Sequence, residues 1–350
     1  MSKNLREASL SRALGLMSSK LLIGSVALAL GFAILLFYAR PVTPENTGPT
    51  VQYLESKNYT YSIRQSFLLM NPFNSTVSQL VYVSIPMNTS EQWSKLTLSN
   101  WKPLRITKDA EGNPMLTYNI SVPAGEVTWL NETFEVIVER YKLQITGAPW
   151  PSLSDVENGT GAKMFWPVDN QTYVSIAKEI APVSVDPMAA SSAIGQWILN
   201  RLDYQIMPRM GGEHTLVLEN GKLVLRGDCQ EVADVFVTLA RALGMRARVA
   251  YGMLLLSPNE TMWAITTPSG VDTSKNWGGH AWSQVYVEPV GWVDVELLEG
   301  PSVKVGDFSE SHVKYSFEDR TFTGSTLTDY CLSGLLDVQQ MYFTFGVIQG

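Results

Sequence analysis

Gly227-Asp228-Cys229-Gln230-Glu231-Val232-Ala233-Asp234-Val235-Phe236-Val237-Thr238-Leu239-Ala240-Arg241-Ala242-Leu243-Gly244 is the stretch whose reading organises the rest of the chain. Val232, Phe236, Leu239 and Leu243 recur at helical spacing, and Gly244 stands where a C-terminal cap belongs, so a helix is predicted to begin at Cys229. Gly227 lets the chain turn sharply into that start. In the first turn, the unpaired backbone N–H groups and the positive end of the helix dipole favour a thiolate, the nucleophilic form of a side chain with an ordinary pKa of about 8.5. Cys229 is therefore a candidate nucleophile.

A nucleophilic thiol needs a base, and the candidate is His280, about fifty residues on, at the head of a β-prone run: Gly279-His280-Ala281-Trp282-Ser283-Gln284-Val285-Tyr286-Val287. A second run, Gly291 to Leu297, follows after Glu288-Pro289 and makes a hairpin with its tip there. If the tip is Glu288, His280 and Glu296 are each eight residues from it and face each other. Trp292, Asp294 and Glu296 share one strand face, with Asp294 displaced by about 7 Å. Glu296 is thus the better placed acid to orient the imidazole, and Asp294 is the alternative. His214, in a Gly-rich stretch, and His312, in a polar one, are expected to have ordinary surface roles. Three histidines and two cysteines offer no zinc-ligand spacing, and no EF-hand-like loop is present, so neither a metal nor any other cofactor is expected.

Residues 227–252, with their Gly-x-Cys helix and the Arg-Ala-Leu-Gly-Met-Arg-Ala-Arg exit, resemble the cysteine segment of the transglutaminase-like superfamily. His280-Ala281-Trp282 and Gly291-Trp292 are similar to that family's His-Ala-Trp strand and the tryptophan strand after it. The resemblance implies a papain-like core in which Cys229 attacks a carbonyl, His280 is its base and an acid holds His280. The family usually has aspartate at the position of Glu296. A Cys229–Cys331 disulfide would consume the nucleophile; the resemblance implies a free Cys229, with Cys331 a buried thiol.

Residues 21–39 are a nineteen-residue apolar run, about 28 Å long as a helix and long enough to span a bilayer. Lys3, Arg6, Arg12 and Lys20 precede it against Glu7 alone, which predicts a cytoplasmic N-terminus (1–20), an uncleaved anchor and an external remainder. Asn-x-Ser/Thr sites stand at Asn58, Asn74, Asn88, Asn119, Asn131, Asn158, Asn170 and Asn259, against about two or three expected by chance, and all lie beyond the span. These are candidate glycosylation sites. The whole chain carries −7, and its acidic external part argues against nucleic acid as a partner.

The expected fold class is α+β. Short β-prone runs at Tyr59–Arg64, Leu80–Ile85, Met115–Val122 and Thr133–Tyr141, punctuated by turn signals, predict a β-sandwich over 50–148. Pro149 to Ala162 reads as a linker, and Ala189–Tyr204 as an amphipathic helix in which Trp197 packs in the core. The papain-like domain is placed at 163–300, followed by a C-terminal extension, 301–350, packing on the external part. The expected substrate is a polypeptide or other amide, hydrolysed or transferred to an amine. The alternative is an inert surface or adhesion module that keeps the fold.

Overall fold

The computed structural model describes residues 48–150, 165–180, 186–266, 278–319 and 330–350. The predicted anchor (21–39), the cytoplasmic segment (1–20) and Asn158 lie outside the described residues. Among the described residues, no helix is long and apolar enough to cross a membrane.

Six strands come first: β1 (Thr50–Met70), β2 (Val77–Ser84), β3 (Gln92–Ser99), β4 (Arg105–Lys108), β5 (Pro114–Val122) and β6 (Val127–Thr146). Helices α1 (Gln171–Ile180) and α2 (Pro187–Leu199) follow, then β7 (Leu202–Tyr204), the single turn α3 (Gly212–Thr215), β8 (Leu216–Glu219), β9 (Lys222–Gly227) and α4 (Cys229–Ala242). The remainder is strand: β10 (Ala247–Leu254), β11 (Met262–Thr266), β12 (Gly279–Val287), β13 (Gly291–Glu296), β14 (Lys304–Val305), β15 (Asp307–Phe308), β16 (His312–Glu318), β17 (Cys331–Leu332) and β18 (Asp337–Gln349).

Two sheets make a sandwich. One runs β11-β18-β1-β6-β15, with β3 also on β6; the other runs β17-β2-β5-β4. Side chains alternate along a strand, and the odd positions Tyr61, Ile63, Phe67 and Leu69 of β1 turn inward to meet Val81, Val83, Tyr118 and Ile120 of the opposing sheet. The C-terminal strands complete this sandwich: β18 lies between β11 and β1, and β17 pairs with β2.

A second core forms around α4, whose Val232, Val235, Phe236 and Leu239 are buried against the five-stranded sheet β14-β13-β12-β10-β16. Each such side chain contributes about 2 kcal/mol relative to exposure. Several strands serve both cores. β6 turns Leu130, Phe134, Val136 and Val138 into the sandwich, then Tyr141, Leu143 and Ile145 into the helical core; β10 likewise sends Ala247 and Val249 to one and Met253 to the other. Residues 49–350 accordingly form one compact unit.

The amphipathic helix predicted at Ala189–Tyr204 is α2, which starts two residues earlier because Asp186 caps Met188 and Ala189 and Pro187 takes the first helical position. It stops at Leu199, and Leu202–Tyr204 pair in parallel with β9. Trp197 packs against the helical core under the Arg201 guanidinium, 4.2 Å from its ring centroid.

Candidate active site

Cys229 occupies the first position of α4, and the start of that helix is fixed by its own sequence. The Asp228 side chain accepts from the Gln230 N–H at 2.9 Å, and Glu231 Oε2 accepts from the Asp228 N–H at 3.2 Å, a reciprocal capping box. Gly227 is required there: a Cβ would come within 2.3 Å of the Glu231 Cβ. Cys229 is half-buried, Cys331 is buried, and no disulfide joins them.

His280 and Glu296 meet beside this helix. The His280 Nε2 donates to Glu296 Oε2 at 2.9 Å, with 8% and 2% of the two side chains exposed. Nδ1 is thereby left for Cys229. Burial acts to lower the His280 pKa, but the Glu296 carboxylate and a hydrogen bond with the Cys229 side chain outweigh it and push it up to about 10. Burial likewise acts to raise the Glu296 pKa, and the His280 charge with the hydrogen bonds from two imidazoles holds it well below the usual carboxylate range. The Trp282 ring stacks on His280 at 5.8 Å and 23°.

The hairpin register differs by one step from the one expected. Ser283 pairs with Val295 and Gln284 with Asp294, which centres the turn on Pro289 rather than Glu288. Continuing that register sets Glu296 across from Trp282, so it reaches His280 diagonally, at a distance that suits the longer reach of glutamate. Asp294 is engaged elsewhere: it accepts from Trp282 Nε1 at 2.8 Å, Gln284 Nε2 at 2.6 Å, Tyr141 O–H at 2.6 Å and Lys314 Nζ at 2.9 Å. Burial opposes its charge, but Lys314 and these donors lower its pKa. Of the two expected acids, the structure brings Glu296 to the imidazole and makes Asp294 the centre of a buried polar hub.

His312 corrects the sequence reading. Expected at the surface, it is 1% exposed, and its Nε2 lies 3.1 Å from Glu296 Oε2. The polar run Ser309-Glu310-Ser311-His312 looks like a solvated loop, but residues 306–311 must carry the chain across the face of the five-stranded sheet, from its β14 edge to its β16 edge. Gly252 makes room for this close approach. It sits opposite His280 on one neighbour and Lys314 on the other, and a Cβ there would lie 1.8 Å from the Val313 carbonyl oxygen. His214 is exposed on α3, as expected.

Among the described residues, His280, Glu296 and His312 form one group with potential metal-ligand atoms, all within 4.8 Å of one another. Sequence spacing gave no sign of it, because the three come from separate strands. Both Nε2 atoms stand at hydrogen-bond distance from the carboxylate, and those bonds account for the geometry without an ion.

A thiol at a helix N-terminus, an imidazole beside it and a buried carboxylate behind the imidazole make a Cys-His-Glu triad. Residues 174–297, the part of the chain that holds all three, match the family model of the Transglutaminase-like superfamily. The chain carries a transglutaminase-like core. A candidate cysteine protease from Cytophaga hutchinsonii has a similar fold, with a TM-score of 0.56 at 12% identity over 86% of this chain and 93% of that one. An uncharacterised protein of Haemophilus influenzae is 24% identical over 143 residues, 39% of this chain and 36% of that protein, so the match spans about a third of that relative's length. The periplasmic domain of TgpA from Pseudomonas aeruginosa, in its ethylmercury-bound form, aligns with a TM-score of 0.31 at 15% identity over 68% of this chain and 88% of that one. Within the transglutaminase-like core, the five-stranded sheet and α4 position the triad, and the sandwich strand β6 reaches under it through Tyr141.

The candidate glycosylation asparagines divide by exposure. Asn58, Asn74, Asn88, Asn119 and Asn259 are exposed, whereas Asn131 and Asn170 are half-buried. The Asn131 Oδ1 accepts from Ser66 Oγ at 2.8 Å, and the Asn170 Oδ1 from the Thr172 N–H at 2.9 Å.

Proposed function

We propose that this protein is a thiol enzyme acting on amide or peptide bonds through an acyl-enzyme on Cys229. The observation that carries the reading is the placing of His280 between Cys229 and Glu296, with Nε2 on the carboxylate and Nδ1 left for the thiol. The Cys229 Sγ bonds to the carbonyl carbon while Nδ1 takes the thiol proton, and the imidazolium is held by the Glu296 charge. As the first residue of α4, Cys229 has a backbone N–H with no acceptor inside the helix, which leaves it free to donate to the developing oxyanion. Collapse of the tetrahedral species breaks the C–N bond, and His280 returns the proton to the leaving amine. Water, or a second amine, then attacks the thioester; His280 takes the proton of the attacking group and gives it back to the sulfur as the C–S bond breaks. The first gives hydrolysis, the second cross-linking.

The external, membrane-anchored setting rests on the apolar run 21–39, the positive charge before it and the sequons after it. Surface proteolysis of intact cells, with an epitope at each end of the chain, tests that placement: the C-terminal epitope is lost and the N-terminal one kept if it is right, and both are kept if it is wrong. The chemistry is tested by incubating the protein with a peptide-amide library, with and without a primary amine, and searching by mass spectrometry for an acyl adduct on Cys229. An adduct that Cys229→Ala abolishes supports the enzyme. Absence of adduct and of turnover across the library favours the inert module.

A further inference from the structure

We propose that His312 is a fourth member of this site, a positioning residue that holds the Glu296 carboxylate in the one orientation that serves His280. The proposal rests on the enzymatic reading and goes beyond the triad, because His312 lies outside the matched segment 174–297 and its sequence context carries no sign of a role.

Both ring nitrogens of His312 are engaged. The Ser309 hydroxyl lies 3.0 Å from His312 Nδ1, and the Ser311 hydroxyl 3.3 Å from it; the two hydroxyls are 2.6 Å apart, and Ser311 also donates to Glu299 Oε1 at 3.3 Å. A carboxylate oxygen can only accept, so His312 donates to Glu296 Oε2 from Nε2, and Nδ1 is left to the two hydroxyls. This bond fixes the same carboxylate oxygen that His280 uses, so the carboxylate cannot turn away from His280 without also breaking its bond to His312.

Rings and a backbone donor surround the pair. The His312 ring is 4.6 Å from Phe308, 5.1 Å from Trp282 and 5.4 Å from His280, measured between centroids. The Glu296 Oε1 is occupied by the Leu298 N–H. The charged and titratable groups that face His312 are Glu296 from β13, His280 from β12 and Glu299 through Ser311; Lys314, two residues along β16, is directed to Asp294 and Glu91. One Glu296 carboxylate oxygen, Oε2, thus lies within bonding distance of both imidazoles.

The test compares His312→Leu, which removes the donor, with His312→Gln, whose side-chain amide can replace Nε2–H. It is run on the full chain by timed iodoacetamide alkylation of Cys229 between pH 5 and 10, with thermal melting to score folding. His312→Leu is expected to slow alkylation near pH 6.5 about tenfold or more and to move the profile toward that of an ordinary thiol; His312→Gln is expected to keep most of the rate. In a Glu296→Ala background, the two His312 variants are expected to be equal. A folded His312→Leu protein with the wild-type profile overturns the proposal, as does a Leu–Gln difference that persists without Glu296. Should His312→Leu not fold, His312→Asn, whose shorter amide does not reach the carboxylate, replaces it under the same criteria. Equal alkylation of the wild type and His280→Ala overturns the enzymatic reading and this proposal with it, whereas an activated wild type with an unaffected His312→Leu overturns this proposal alone.

Discussion

At the scale of the residue, one strand carries two buried acids that do different work. Glu296→Gln keeps the shape but loses the charge opposite His280, and turnover should fall about 10²–10⁴-fold at saturating substrate, with a smaller loss of stability from the broken pairing. Asp294→Asn should do the reverse. It leaves the buried Lys314 ammonium with only Glu91, 3.3 Å away, and is expected to cost about 3–5 kcal/mol in urea unfolding. The pH dependence follows from the same pairings. The His280 pKa is pushed up to about 10 in the fold, so its pairing contributes fully below the ordinary histidine pKa of about 6.5 and is lost as the pH rises toward 10. Glu296, held low, contributes above the ordinary carboxylate range and loses its contribution in acid. The stability gap between the wild type and His280→Ala should therefore be widest near pH 6 and narrow steadily by pH 10, as followed by urea midpoints; a gap that widens with alkali would contradict the pairing. Cys229, His280 and Glu296 were legible in the sequence because each lies on a periodic element of readable phase. His312 was not: its burial is imposed by a crossing of the sheet that no local pattern records, and Ser309-Glu310-Ser311 has the composition of a solvated loop.

At the scale of the element, the helix start and the strand that faces it are both set by small residues. Asp228→Ala removes one half of the capping box and is expected to cost about 1–2 kcal/mol, with Cys229 alkylation slowed as the first turn frays. Gly252→Ala drives a methyl group into the Val313 carbonyl, and about 3 kcal/mol or more of destabilisation is expected from thermal melting, far beyond an ordinary surface change. The helix α4 and the β12–β13 hairpin were readable to within a few residues, since apolar period and turn chemistry agree there. The register of the hairpin was not, because a turn centred on Pro289 instead of Glu288 changes every partner while leaving the strand lengths almost unaltered. The four β-prone runs became β1, β2, β5 and β6, whereas β3 and β4 escaped notice: both are sheet-edge strands with exposed side chains such as Leu98 and Ile106.

At the scale of the whole molecule, the last strand is tied to the first described one. β18 pairs with β1 along Thr60–Met70 and separates it from β11, so a chain stopped before Asp337 loses a strand from the interior of a sheet. Such a truncation is expected to be insoluble or to lack a cooperative melting transition, and a truncated protein that melts as the full chain does would contradict the topology. The sequence showed the tail as apolar but not where it pairs, because the partner of Met341 is Phe67, far away along the chain. The account turns on one claim, that His280 and Glu296 activate Cys229. Its most direct test is the rate at which iodoacetamide alkylates Cys229 at pH 6.5 in the wild type, His280→Ala and Glu296→Gln, each shown to be folded. The account predicts a fast wild type, a rate at least tenfold lower in His280→Ala and a clear loss in Glu296→Gln; three equal rates would contradict it.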